Sequence, residues 1–365
     1  MKLLYIVPKI KIAGGVARVT SVKANYFVEH FGYEIHILSQ NEGDTLPFYD
    51  FNSKIVFHYM TLKGRGLSFF VSFQKDINKK VKEIKPDVIL IADNGLKAFI
   101  YPFVCRTKIP MVLECHGSKF IEEKDLKADF LAKSIRKIKY QFKDFGARKF
   151  TRIVTLSGES LKEWNVENGV VIPNPLWIKN NKISNLQHKK VIAIGRYSFE
   201  KGLDRLLLIW KEIIQKHSDW TLDIYTDNIH SLKEKALDLG LEWGINYLDF
   251  VKNIEEKYYE ASIYAMTSRT EGFAMVLLEA MASGLPCIAY DCPIGPRALI
   301  TSGENGFLIP DDCIEIYVEQ LSCLIEDQEI RSKLGKNAQA ASENYAVDKV
   351  MEQWKSFLEK TVIIN

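Results

Sequence analysis

Six cysteines in 365 residues, none of them in a Cys-x-x-Cys pair, are too few for a disulfide framework in a chain of this length. Cys105, Cys115, Cys287, Cys292, Cys313 and Cys323 are expected to be reduced thiols of the core. Long apolar runs are missing too: Leu3–Val7 and Val88–Ala92 fall far short of the ~18–20 residues a membrane helix needs. Only Lys2 precedes the first of these runs, and Pro8, Lys9 and Lys11 follow it where a small-residue cleavage site would stand. No secretory leader is therefore expected, and the chain reads as cytoplasmic. What is present is ordinary for a globular protein, with 47% apolar and 26% charged residues, which excludes disorder, collagen and coiled coil. At ~150 residues per domain the length suggests two domains.

Neither sign of charge dominates the total, since 49 Lys and Arg against 46 Asp and Glu leave +3. The halves differ. Residues 1–172 carry 28 basic and 18 acidic side chains, a net of +10, whereas residues 173–365 carry 21 and 28, a net of −7. A basic first half suggests an anionic partner: a phospholipid surface, a pyrophosphate-linked acceptor or a nucleic acid.

Short apolar runs without alternation recur at Leu3–Val7, Glu34–Leu38, Ile55–Tyr59, Val88–Ala92, Met111–Glu114, Ile153–Leu156 and Val170–Ile172, with helix-compatible stretches between many of them. Such runs are strands covered on both faces, and strands alternating with helices make a doubly wound parallel sheet. The pattern restarts at Val191–Ile194 and continues through Thr221–Tyr225, Tyr247–Phe250, Ile263–Met266 and Pro286–Ala289. Two α/β domains follow, 1–172 and 173–347, with Pro173-Asn174-Pro175 and the polar stretch 179–190 read as a linker. The last helical stretch, within 348–365, is expected to complete the first domain.

Four constellations carry chemistry. Gly14-Gly15, after the first strand, lets backbone approach a ligand, and the helix start that follows attracts phosphate. It is not the Gly-x-Gly-x-x-Gly fingerprint, which disfavours a nicotinamide enzyme. Arg196 and Lys201, on the loop after the first strand of the second domain, are spaced to converge on one diphosphate. The stretch Glu271-Gly272-Phe273-Ala274 leads into an apolar helix, expected from about Phe273 to Ser283 and stopped by Gly284 and Pro286. Glu279 lies inside that helix, where a buried carboxylate needs a partner: a ribose diol, or an Arg or Lys of the chain. Eight residues of helix rise, roughly 12 Å, would match the span from the sugar of a nucleotide-sugar to its ribose. Finally, Glu114-Cys115-His116-Gly117-Ser118 ends a strand, which puts His116 at the edge where open α/β sheets bind ligands and would point it into the cleft between the domains.

Together, Gly14-Gly15, His116, Arg196-x4-Lys201 and Glu271-x7-Glu279 resemble the retaining glycosyltransferases of family 4 over nearly the whole chain, most specifically over 191–310. The resemblance implies the GT-B fold, two Rossmann-like domains facing a central cleft, with an acceptor-side first domain and a donor-binding second one. It further implies transfer of a hexose or N-acetylhexosamine from a nucleotide diphosphate. Asp291-Cys292-Pro293-Ile294-Gly295-Pro296 and Gly303-Glu304-Asn305-Gly306 look like the bacterial polysaccharide and lipid-linked oligosaccharide members that use UDP-hexoses. By the same resemblance Glu271 contacts the hexose, Glu279 the ribose, Arg196 and Lys201 the diphosphate, Gly15 the distal phosphate and His116 the sugar. Gly14, Gly272, Phe273 and Ala274 belong to the same donor site, and His116, Arg196, Lys201 and Glu271 form the catalytic set. No Asp-x-Asp occurs, so the cations and a helix N-terminus are expected to stabilise the leaving UDP without metal or other cofactor. Two positions depart from the pattern: Ala298 stands where Glu is usual, and Val251 where glycine is common. A non-catalytic glycan-binding scaffold and a sugar epimerase of the same fold are the competing readings.

The partner expected beside donor and acceptor is a membrane surface rather than nucleic acid. In 131–152, Leu131, Ile135, Ile138, Phe142 and Phe145 form one helical stripe among eight cations, with Asp144 the single acid. The stripe is expected to dock on the domain core and turn the cations toward anionic lipid, giving a protein peripheral at the inner membrane face. No aromatic platform for bases accompanies the charges.

Overall fold

A computed structural model of the chain describes residues 1–12, 14–42, 46–62, 66–93, 95–120, 130–178 and 182–363, apart from the side chains of Leu67, Phe130 and Ala132. It separates into two compact units, Met1–Pro175 with the chain from Val347 onward, and Leu176–Ala346. The division falls three residues beyond the expected 172, and the last helix, Val347–Ile363, counts with the first unit.

The first unit holds strands β1 (Lys2–Ile6), β2 (Glu34–Gln40), β3 (Val56–Met60), β4 (Val88–Ala92), β5 (Met111–Cys115), β6 (Arg152–Thr155) and β7 (Gly169–Val171). They form one parallel sheet ordered β3-β2-β1-β4-β5-β6-β7. Its strands alternate between two cores. Leu4, Ile6, Ile89, Ile91, Leu113 and Ile153 pack on one face with Phe73 and Ile77 of the helix Gly66–Ile84. Leu3, Tyr5, Val88, Leu90, Val112 and Val154 pack on the other, with Phe27 of the helix Gly15–Phe31 and Met351 and Trp354 of the last helix. Both faces of each strand are thus covered, which is why the sequence shows apolar runs instead of alternation.

The second unit repeats the plan with β8 (Lys190–Ile194), β9 (Thr221–Thr226), β10 (Ile245–Asp249), β11 (Ile263–Met266), β12 (Cys287–Tyr290) and β13 (Phe307–Ile309), ordered β10-β9-β8-β11-β12-β13 and all parallel. Strand β13 has three residues at the sheet edge, too short to stand out as a run. In each sheet the order reverses beside the first strand, so the crevice for a ligand opens between β1 and β4 and between β8 and β11.

Two expectations need correction. The stretch after Pro175 is not a free linker: Ser184 is buried, its hydroxyl donates to the Ala261 carbonyl at 2.5 Å and its backbone N–H to the Ser283 carbonyl at 2.9 Å, and Leu186 is buried beside it. Residues 182–189 therefore belong to the second unit, while residues 179–181 of the expected linker lie outside the described residues. The basic helix, Phe130–Ala147, sits the other way round from the expected pose. Lys143 is buried and donates to the Lys119 carbonyl at 3.0 Å, and Asp144 accepts the buried Lys119 ammonium at 2.8 and 2.7 Å. These polar bonds, with Phe142 against the core, fix which face turns inward. Leu131, Ile135, Ile138 and Phe145 are left exposed, at 66, 47, 64 and 52%. Among the described residues no helix is long and apolar enough to cross a membrane. All six cysteines are free; Cys105, Cys115, Cys287 and Cys292 are buried, and Cys313 and Cys323 half-buried.

Candidate functional site

The second unit gathers its site at the β8–β11 switch point. Strand β8 ends at Ile194, and the chain passes through Arg196 and Lys201 into the helix Leu203–Lys216, capped by Gly202. Gly202 is left-handed, with φ +60°, and a Cβ there would lie 2.1 Å from the Thr267 carbonyl oxygen. Only glycine allows that approach. It lets the end of β11 lock onto the start of the helix: the Thr267 hydroxyl donates to the Gly202 carbonyl at 2.8 Å, and the buried Arg205 donates to the Thr267 carbonyl at 3.1 and 2.6 Å. Arg269 completes the zipper, donating through its backbone N–H to the Glu200 carbonyl at 2.7 Å and holding Asp204 with both guanidinium nitrogens.

Locked in this way, the two loops bring Lys201 Nζ to 2.6 Å from Glu271 Oε1, which also accepts the Ser268 hydroxyl at 2.7 Å. Glu271 is packed from behind, because a Cβ on Gly295 (φ +101°) would lie 2.7 Å from its own Cβ. Gly295 thus lets the loop after β12 close against this carboxylate. Arg196 stands apart from the pair. Its guanidinium is exposed and, among the described residues, no hydrogen bond or ion pair fixes it.

The helix after Glu271 starts later than expected, at Met275, because Ala274 is left-handed (φ +61°, ψ +58°) and breaks the run. A non-glycine residue in that region costs roughly 1–2 kcal/mol. The ~12 Å ruler between the two glutamates therefore does not hold: only 275–279 is helical, a rise of about 6 Å. Phe273 is buried and packs edge-on to Tyr345, whose hydroxyl donates to the Ala298 carbonyl at 3.0 Å. Glu279 is buried, and two neutral groups hold it: the Trp177 indole N–H donates to Oε1 at 2.7 Å and the Tyr258 hydroxyl to Oε2 at 3.1 Å. Burial and the neighbouring Glu279 charge push the Tyr258 phenol well up, so it remains a donor. Trp177 and Tyr258 escaped the sequence reading, since they reach Glu279 from 102 and 21 positions away.

In the first unit, Gly14 caps the helix Gly15–Phe31 with an extended backbone (φ 175°) that any residue can adopt. A Cβ on either Gly14 or Gly15 would meet nothing within 4 Å. Neither the turn nor the packing requires the pair, so what remains of the expectation is room for a ligand. The loop ahead of it is held by Glu42, which accepts the N–H groups of Ile10 and Lys11 at 2.9 and 3.0 Å. His116 follows β5 with its side chain 4% exposed and Nε2 3.2 Å from Glu114 Oε2.

With this geometry in view, the model of group 1 glycosyl transferases matches residues 177–341, and that of Glycosyltransferase Family 4 matches residues 13–176. The chain belongs to the family 4 type glycosyltransferases. It is 29% identical to an uncharacterized glycosyltransferase of Haemophilus influenzae over 98% of this chain and 99% of the other. It is 26% identical to the amylovoran biosynthesis glycosyltransferase AmsD of Erwinia amylovora, over 98% and 99%. Among solved structures, HepE of Anabaena in complex with UDP-glucose superposes with a TM-score of 0.76 at 20% identity, over 99% of this chain and 100% of that one. That likeness is one of fold, and the fold is GT-B. The matches span both units, so this glycosyltransferase carries its two α/β halves as parts of one enzyme architecture.

Proposed function

We propose that this glycosyltransferase is a retaining, metal-independent enzyme that moves a hexose or N-acetylhexosamine from a UDP-linked donor to a glycan or lipid-linked oligosaccharide in bacterial surface polysaccharide biosynthesis. The observation that carries the reading is the Lys201–Glu271 pair. A cation suited to a diphosphate stands 2.6 Å from a carboxylate suited to sugar hydroxyls, at the switch point of a Rossmann-ordered sheet and just ahead of the helix Met275–Ala282. Lys201 and the exposed Arg196 neutralise the leaving diphosphate, the first-turn N–H groups of that helix add to them, and Glu279 receives the ribose. Gly272, Phe273 and Ala274 line the donor between the two glutamates. From the first unit, Gly14 and Gly15 offer backbone N–H groups to the distal phosphate and His116 contacts the sugar. The bond from the sugar C1 to the diphosphate oxygen breaks as the acceptor oxygen bonds to C1 on the same face. The acceptor proton passes to the departing phosphate oxygen. The amylovoran pathway named for one relative, and the UDP-glucose complex of one structural neighbour, agree with this assignment.

The acceptor side works at an anionic membrane surface. Leu131, Ile135, Ile138 and Phe145 stand exposed on the helix Phe130–Ala147 with exposed Lys133 and Lys137 among them and Lys149 just beyond its end. Phe103, 43% exposed, extends the apolar face by stacking on Phe145 with centroids 5.4 Å apart. Apolar side chains at headgroup depth with cations around them are the composition of an interfacial helix.

The donor assignment is tested by titrating UDP-, GDP- and ADP-sugars calorimetrically in the presence of chelator, then assaying the tightest on lipid-linked acceptors and reading the product anomer by NMR. A UDP-sugar should bind without metal and its anomeric configuration should persist. Binding only with Mg²⁺ or Mn²⁺ would refute the metal-free mechanism, and an inverted product the retaining one.

A further inference from the structure

The first unit holds a cavity that the transfer reaction leaves unused. Its volume is about 500 Å³, within the range of small-molecule sites, and it lies between the end of the helix Gly66–Ile84 and the segment that enters β5. Lys82, Lys85 and Arg106 stand around it, and among the described residues no acid lines it. All three cations are exposed. The acids nearest to them in sequence are engaged elsewhere: Glu83 pairs with Lys80 at 3.1 Å, and Asp87 accepts the backbone N–H of Lys2 at 2.7 Å. Lys85 and Pro86 precede β4 and Ile109 precedes β5, so the cavity opens at the amino ends of the parallel strands, the edge opposite to His116. Open α/β sheets bind their substrates at the carboxyl ends, which sets this cavity apart from the site of transfer.

Stability alone does not account for the cations. Lys85 has a left-handed backbone, φ +50°, and closes the helix by donating its N–H to the Val81 carbonyl at 2.9 Å. That position favours glycine or asparagine, and a lysine in it is strained. The helix dipole does not call for it either, because Lys82 already places a cation in the last turn. Arg106 comes from another segment, which Asn78 of the helix fastens in place: its Oδ1 accepts the Arg106 N–H at 2.7 Å and its Nδ2 donates to the Val104 carbonyl at 2.8 Å. Two segments thus bring their cations round one opening. Arginine offers a forked contact and lysine a point charge, the combination that suits a phosphate. A bare ion, however, would not need the rest of the lining, where Val81, Pro86 and Ile109 present apolar surface. A phosphate that carries an apolar stem matches both. Val104 directly follows Phe103, which belongs to the exposed apolar face of this unit.

We infer that this cavity takes the phosphate headgroup of an anionic phospholipid, with Lys82, Lys85 and Arg106 on the phosphate and the glycerol stem against Val81, Pro86 and Ile109. The inference rests on the membrane reading of the first unit for the source of the lipid, and a soluble short-chain lipid lets the two fail separately. A headgroup site at the amino edge holds the unit to the surface through one defined lipid, in addition to the diffuse attraction of its net charge, and leaves the carboxyl edge to the substrates.

The probe is dihexanoyl phosphatidylglycerol below its micelle concentration, titrated calorimetrically into the full chain at fixed ionic strength beside dihexanoyl phosphatidylcholine and inorganic phosphate. The phosphatidylglycerol should bind about tenfold or more tighter than either, for the charge and the stem respectively. Lys85→Asn with Arg106→Gln should weaken it by about tenfold or more, as the loss of two charge-assisted contacts implies, and should unfold at no lower urea concentration than wild type, since asparagine accepts the left-handed backbone. Lys133→Gln with Lys137→Gln removes as much charge from the exposed helix; it should weaken flotation with phosphatidylglycerol vesicles and leave affinity for the short-chain lipid unchanged. Phosphate binding as tightly as the lipid would make the ligand a free anion and overturn the headgroup assignment, and equal binding of the two lipids would remove the charge recognition. Both comparisons use wild type and decide even if the cavity variant does not fold. A folded cavity variant that binds the short-chain lipid like wild type overturns the site itself. Wild type that binds the short-chain lipid yet floats equally with neutral and anionic vesicles would sink the membrane reading and leave the cavity standing; preferential flotation with anionic vesicles without short-chain binding would do the reverse.

Discussion

Glu271 and Glu279 occupy unlike environments in the ligand-free chain, and their variants should separate accordingly. Glu271 already neutralises Lys201, so Glu271→Gln frees that cation. UDP affinity should hold or rise while turnover of the UDP-sugar falls, since the lost contact lies with the part of the donor that reacts. Glu279→Gln keeps an oxygen for the Trp177 indole and turns its NH₂ toward the Tyr258 hydroxyl, which can accept it. UDP and UDP-sugar should then weaken together, by about tenfold or more for a hydrogen bond to a charged group. Calorimetry on both variants decides this, and UDP binding lost from Glu271→Gln alone would reverse the placement of the donor. Gly202→Ala is predicted to destabilise the chain by about 3 kcal/mol or more, because its Cβ would meet the Thr267 carbonyl at 2.1 Å in a left-handed backbone. Urea unfolding measures it. At this scale Lys201, Glu271 and Glu279 were legible from residue type and position in the motif. Their partners were not, because Trp177, Tyr258 and Thr267 are neighbours only in the folded unit.

The helix Phe130–Ala147 shows how far periodicity reaches at the scale of an element. A stripe at spacings of four and three identifies a helix with one apolar face, and a helix forms there. Which face turns inward was decided by Lys143 and Asp144 bonding to Lys119, contacts between segments about 24 residues apart. Leu131→Ser with Ile138→Ser should accordingly leave unfolding within about 0.5 kcal/mol per site of wild type, as exposed positions do, while weakening flotation with anionic vesicles. Phe142→Ser, against the core, should cost roughly 2 kcal/mol or more. Equal flotation of wild type with neutral and anionic vesicles would remove the membrane assignment.

The whole molecule has two units with separate cores, so its unfolding need not be a single transition. UDP bound by the Lys201–Glu271 site should raise the transition of the unit Leu176–Ala346. At ~100 times its dissociation constant it should add about 2.7 kcal/mol. Scanning calorimetry with and without chelator should give the same shift, and a shift that needs divalent metal would contradict a site built on Lys201 and Arg196. The charge difference between the halves also belongs to this scale: if the proposed membrane contact holds, the net of +10 over residues 1–172 should make flotation with anionic vesicles fall as salt is raised.

By itself the sequence determined the repeated α/β plan, the parallel sheets and the place in the chain where each motif stands. Strand burial on both faces and the phosphate chemistry of loops after strands are local properties, written in short apolar runs and in glycine and charge placement. Tertiary structure alone decided that residues 182–189 pack onto the second unit and that the helix after Glu271 begins at Met275. It also decided which neutral groups hold Glu279, and that Lys23 reaches Glu114 across 91 positions. Apart from the local turn at Ala274, these turn on a side chain meeting a partner far along the chain, and the free energy of such a meeting depends on burial and geometry that no spacing along the chain encodes.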